Sequence, residues 1–296
     1  MIRSMLTVIL VLSLAMSASA YDVLYSNDTA ATYEASAFGI GGSFLYFMAN
    51  SGYDKDGESH DWADGIEYTG MWFPIDIHYG ILDGFEVGVT PIFMMDKLTF
   101  PDPTPEYSGT GIGDTWIWAK YGFLPDPMLT ARVGVKLATG NDEPDEEELA
   151  LGTGQMDIDG ALMFGVPAGP GSFDGAIGYR YRLVNSADEE SRDIGDCKPG
   201  NEIHFFAGYT YFLSDVMNLR IGADGYFGSD EEEDTGEARR DLVAVEETGM
   251  SVVYINPGFD YIMDSGMSLG FDMHYPLMGT NEVAAWGFGL SIGWGS

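Results

Sequence analysis

The chain has 296 residues, 47 of them Asp or Glu against 13 Lys or Arg, for a formal net charge of −34. That balance excludes a nucleic-acid partner, because phosphate binding needs clustered Lys and Arg. Forty glycines and 14% aromatics, with only 20% charged residues, exclude a disordered acidic chain.

Residues 1–20 read as an export signal. Arg3 supplies the positive end, Met5 to Met16 an apolar core, and Ala18-Ser19-Ala20 a small-residue cleavage site. The apolar core is too short for a membrane-spanning helix, which needs roughly 20 residues. Residues 21–36 follow as an N-terminal segment expected on the periplasmic side, with a sequence equally compatible with entry into a lumen. The remainder, 37–296, is predicted as one domain.

From Phe38 onward the chain alternates with period 2, the signature of half-buried strands. The pattern predicts strands at 36–49, 65–81, 85–95, 111–123, 129–139, 154–166, 173–183, 201–212, 218–228, 249–263, 267–277 and 283–294. In the fifth, Leu129, Ala131, Val133, Val135 and Leu137 share one face, and Thr130, Arg132, Gly134 and Lys136 the other. In the last, Trp286, Phe288, Leu290, Ile292 and Trp294 oppose Gly287, Gly289, Ser291 and Gly293. Tight links near residues 83, 126, 169, 215 and 265 alternate with long ones at 50–64, 96–110, 140–153, 184–200 and 229–248; the link at 278–282 is the short exception. An even strand number with this alternation describes an all-β fold, an antiparallel up-and-down transmembrane β-barrel of about 12 strands in the bacterial outer membrane. Closure pairs every backbone group and leaves no edge in lipid. Parity alone does not say which face looks inward. The export signal, the loop asymmetry and the aromatics near strand ends place the apolar face outside, against lipid.

The polar parity carries Lys120, Arg132, Lys136, Arg180, Arg182 and Arg220, together with Glu86, Asp114, Asp157, Asp159, Asp174, Asp224, Asp260 and Asp272. A basic residue facing lipid at mid-depth costs roughly 2–4 kcal/mol, so this segregation is what a barrel requires. Asp114, Trp116, Trp118, Lys120, Arg132, Lys136, Asp157, Asp159, Arg180, Arg182 and Arg220 are the candidate lumen-lining binding residues. Two readings stay open: a charge network that stiffens the lumen, or a pathway whose walls set selectivity. Some residues resist the pattern. Glu67 has the parity of Met71 and Ile75, which aims it at lipid unless it lies above the membrane or a bulge intervenes. Pro74, Pro91 and Pro257 each remove a ladder donor from a strand-like run.

The long links together with 278–282 hold 29 of the 47 acidic residues, which puts negative potential around one mouth. Divalent cations or partner molecules are the expected ligands if these loops bind anything. Asp54-Lys55-Asp56 opens like a calcium loop, but Ser59 stands where the turn glycine belongs and Gly65 where the bidentate Glu belongs. Cys197 is the only cysteine, so thiolate clusters and intrachain disulfides are excluded. His60, His78, His204 and His274 are dispersed without zinc-ligand spacing, although the last three share the polar parity. Neither a nucleophile–base pair nor a nucleotide loop is present, so no catalytic residue, metal site or cofactor is expected.

The succession Gly111-Ile112-Gly113-Asp114-Thr115-Trp116-Ile117-Trp118-Ala119-Lys120-Tyr121, Val133 to Gly140, Leu151-Gly152-Thr153-Gly154-Gln155-Met156-Asp157 and Ile177-Gly178-Tyr179-Arg180-Tyr181 resembles the outer-membrane barrel family named for the meta-pathway of phenol degradation. Ala138 stands where that family prefers proline. The resemblance implies an outer-membrane transporter for small molecules, aromatic or apolar ones included, and supplies no ligand residues. The expected function is therefore a channel passing small solutes through a charged lumen. The alternative is a non-conducting surface barrel whose acidic loops bind partners or divalent cations.

Overall fold

The structure is a computed structural model that describes residues 29–101, 106–142, 148–184, 197–234, 242–244 and 246–295. The predicted export signal and residues 21–28 lie outside the described residues. Regular structure among the described residues is entirely β. Twelve strands form the wall: β1 Phe38–Ala49, β2 Glu67–Leu82, β3 Phe85–Thr90 continued by Ile92–Thr99, β4 Tyr107–Ile112 continued by Thr115–Pro125, β5 Met128–Leu137, β6 Asp157–Ala168, β7 Gly171–Arg182, β8 Glu202–Ser214, β9 Met217–Gly228, β10 Ser251–Ile262, β11 Ser268–Thr280 and β12 Trp286–Gly295. Each pairs antiparallel with the next, and β12 returns to β1 with Phe44 opposite Leu290. The barrel is closed.

The period-2 reading becomes a difference in environment. Val133 is 60% exposed on the outer wall while its neighbour Arg132 is 4% exposed inside. The outer face from Ile117 and Tyr121 through Ile177, Tyr179 and Leu290 is an exposed apolar belt. Such a belt suits hydrocarbon and would be a liability in water.

Several boundaries move. β3 runs to Thr99 and β4 starts at Tyr107, so the predicted 96–110 link shortens to 100–106, and β11 extends to Thr280. Pro91 splits β3, and Ile75 N–H donates to the Pro91 carbonyl at 3.0 Å across the gap. Pro74 and Pro257 remain inside their strands, opposite Ile92 and Ile221. Glu67 opens β2 at its loop end and is exposed there. β4 carries a bulge: Thr90 pairs with Trp116 but Phe93 pairs with Ile112, so β4 holds one extra residue at Gly113-Asp114. The extra residue reverses the facing, leaving Ile112 59% exposed while Asp114 and Trp116 turn inward.

One feature is absent from the parity reading. Leu45, Phe47, Tyr68, Trp72, Met94, Leu98, Tyr226, Val252 and Tyr254 point inward and pack with Leu149, Leu151, Val283 and Ala285 from the links. The loop half of the lumen is thus filled as a small barrel's interior is filled, by interdigitated side chains.

Candidate functional site

All eleven candidate lumen residues lie on the inner face, and all but the half-buried Arg220 are buried. They stand in pairs. Lys120 Nζ is 3.1 Å from Glu86, and Lys136 Nζ is 2.7 Å from Asp157 and 3.5 Å from Asp114. Arg180 reaches Glu202 at 2.9 Å, and Arg182 binds the other oxygen of the same carboxylate. His204 meets Asp159 at 2.8 Å, and Arg220 holds Asp260 at 2.9 Å. The two tryptophans receive guanidiniums: Arg132 lies 4.8 Å from the Trp118 ring centroid and Arg180 lies 5.4 Å from that of Trp116. Trp118 can lie flat against the wall because position 88 is glycine; a Cβ there would sit 2.2 Å from its Cζ2.

The β4 bulge aims Asp114 at the link after β5. Its carboxylate accepts from Gly140 N at 3.1 Å, Thr153 N at 3.0 Å and Thr153 Oγ1 at 2.8 Å. Three inner-face carboxylates stand beyond the eleven candidates and the acidic residues named with them: Glu202 and Asp76, which share the parity of His204 and His78, and Asp96, which falls in a predicted link. Asp96 instead accepts from Trp72 Nε1 at 2.8 Å and Tyr68 Oη at 3.0 Å inside the apolar half.

The tight-turn end is occupied by the N-terminal segment. Of the segment 21–36 expected on the periplasmic side, residues 29–36 fold back against the inner wall. Lys120 Nζ donates to the carbonyls of Thr29 and Ala31, both at 2.9 Å, and Thr130 Oγ1 donates to that of Ala30. Tyr33 N–H donates to Glu86 at 2.7 Å, and Ala35 N–H to Asp83 at 2.9 Å. Glycines make the seat. A Cβ at Gly80 would lie 1.9 Å from the Glu34 carbonyl, and one at Gly39 would lie 2.3 Å from Tyr33 Oη.

At the other mouth, links are laced together. Tyr53 N–H donates to the Glu282 carbonyl, Ala284 N–H to Ser51, and Asn281 Nδ2 to the carbonyls of Glu247 and Gly249. The Glu282 side chain is buried against Tyr226 Oη and the Val283 amide. Burial pushes its carboxyl up to about 8; the Val283 N–H opposes, Glu202 adds and Arg182 subtracts. Among the described residues one trio, the half-buried Asp54 with the exposed Glu58 and His60, brings ligating atoms within 4.8 Å of one another. Asp54 already accepts the amides of Asp56 and Glu58, each at 2.9 Å, and holds His60 at 2.8 Å.

The fold is similar to the crystal structure of an outer membrane channel from Pseudomonas putida F1, at TM-score 0.74 and 14% identity, over 91% of this chain and 98% of that one. It is also similar to the translocator domain of the autotransporter NalP from Neisseria meningitidis, at TM-score 0.53 and 12% identity, over 94% and 93%. No curated protein matches the sequence. The closed barrel and its lipid-facing belt are those of a bacterial outer-membrane protein. Residues 78–292 match the family described as "Putative MetA-pathway of phenol degradation", and the chain belongs to that family.

Proposed function

We propose that the protein is an outer-membrane channel for small solutes, held closed at rest. One observation carries this reading: the tight-turn half of the lumen is hollow. Two cavities of about 320 and 640 Å³ adjoin there, sharing Tyr33, His78, Gly266 and Gly295. They are stopped below by a segment that hangs on a few hydrogen bonds, and above by inward side chains of the wall, Leu45, Trp72 and Tyr254 among them, packed against Leu149, Leu151 and Val283 of the links. The similar fold from Pseudomonas putida is described as a channel, which supports the reading. In it, Lys120, Arg132, Lys136, Arg180, Arg182 and Arg220 set the field along the path with Asp114, Asp157 and Asp159. Trp116 and Trp118 fix two of the guanidiniums. Small aromatic or apolar solutes are the cargo that family membership suggests.

The test is single-channel recording of the refolded mature protein in a planar bilayer under a salt gradient. Infrequent discrete openings with a defined reversal potential are expected. A folded, heat-modifiable barrel that never conducts, even when the N-terminal segment is unseated, overturns the reading. The ion-paired lumen and packed loop half favour a second reading, a non-conducting barrel whose acidic loops bind divalent cations. Its mark would be calcium-dependent protection of the 50–64 link from proteolysis without any conductance.

A further inference from the structure

The smaller cavity has a chemistry of its own. Its inner wall is built from Ser43, Ser268 and Ser291 on three neighbouring strands, with Ser43 directly opposite Ser291 in the β1–β12 pairing. Bare backbone completes that side: a Cβ at Gly41 would meet nothing closer than 3.5 Å, so the glycine leaves space that no side chain takes. The rings of Tyr33, His78 and Trp118 also line it, with the His78 ring centroid 5.5 Å from that of Tyr33 and 5.0 Å from that of Trp118. His78 Nδ1 is buried and has no hydrogen-bond partner among the described residues. A buried ring nitrogen without a partner carries a desolvation cost, which an incoming hydroxyl removes when the ring turns that nitrogen toward the cavity.

Asp76 and Arg132 both line the cavity, so an anion and a cation would each meet one charge of its own sign. The volume, about 320 Å³, falls at the small end of ligand pockets. Serine hydroxyls and an orphan imidazole nitrogen select hydrogen-bonding groups, while the rings and the flat glycine backbone suit a ring of similar thickness. We propose that this cavity is a binding site for an uncharged single-ring solute carrying hydroxyl groups, a reading that rests on the lumen being a solute path. The Tyr33 side chain belongs to the site, so the N-terminal segment contributes to holding the solute as well as to closing the barrel.

Benzyl alcohol and myo-inositol are the probes, an aromatic and an alicyclic source of the same chemistry, with toluene and benzoate as controls. Each is titrated calorimetrically into the refolded full mature chain. Saturable binding of at least one hydroxylated probe is expected, with toluene and benzoate at least tenfold weaker. Gly41→Leu, whose Cβ meets the Ile292 carbonyl only at contact distance, 3.5 Å, should fill the hollow and weaken that probe at least tenfold while keeping heat-modifiable migration. His78→Phe keeps the ring packing and should weaken the hydroxylated probes while leaving toluene unchanged. Toluene binding as tightly as benzyl alcohol, or Gly41→Leu binding like the wild type, overturns the proposal. The same preparations are recorded in bilayers. Conduction without probe binding sinks the site and spares the channel; binding without conduction does the reverse.

Discussion

Glu202 pairs with two arginines at once. One buried carboxylate serves both Arg180 and Arg182, and its removal leaves two guanidiniums in a site that excludes water. Breaking a buried ion pair on one side costs about 3–5 kcal/mol. Glu202→Gln is therefore expected to lower the unfolding free energy by about that amount in urea titration of the vesicle-inserted barrel. A loss below about 1 kcal/mol would mean that solvent reaches the cluster. Glu282 acts in the opposite sense. Its folded carboxyl titrates near 8 against an ordinary 4.5, so between those values the folded chain keeps a proton that the unfolded chain has lost. Stability should thus fall as pH rises from about 4.5 to about 8 and level off above. Glu282→Gln, which keeps an acceptor for the Val283 amide, should flatten this slope; an unchanged slope would assign it to another group.

At the scale of elements, the N-terminal segment is held by Lys120, Thr130, Glu86 and Asp83 and seated on glycine. Gly80→Val places a side chain where the Glu34 carbonyl now lies, so the segment must lift, at the cost of the bond from Ser36 N–H to the Gly80 carbonyl. Open probability in bilayer recordings should rise several-fold. An unchanged open probability would mean that the segment does not close the path. The β4 bulge shows what an element adds to a pattern. Parity read from Asp114 to Lys120 named the inner face correctly, but carried back to Ile112 it would have put an isoleucine in the lumen. A bulge is one extra residue, and nothing in a period-2 pattern counts residues on the partner strand. The reach of β3 past residue 95 was hidden for a related reason. Met94, Asp96 and Leu98 face a packed interior rather than water, so the outward and inward residues no longer differ in polarity.

The whole molecule has a charge asymmetry that pairing does not cancel. The inner face carries Asp76, Glu86, Asp96, Asp114, Asp157, Asp159, Asp174, Glu202, Asp224, Asp260 and Asp272 against six basic residues, and the links add most of the remaining acid. An open path should therefore prefer cations, with a reversal potential on the cation side that shrinks as ionic strength rises. An anion-side potential would place the path along the Arg132–Arg180–Arg182 wall alone.

The sequence by itself determined the barrel. Twelve alternating runs, tight and long links in turn, and basic residues on one parity, apart from Lys97 near the loop end of β3, follow from two local facts: side chains alternate along a strand, and lipid does not tolerate an unpaired backbone group or an exposed charge. Local rules can be read locally. What fills the lumen was decided only by the tertiary structure. That Glu202 would serve two arginines, that Thr29 to Glu34 would seat on Gly39 and Gly80, and that Val283 would pack with Tyr226 depends on residues brought together across the ring. Those meetings are set by how twelve strands tilt and close, and closure is a property of the whole sheet that no single strand contains.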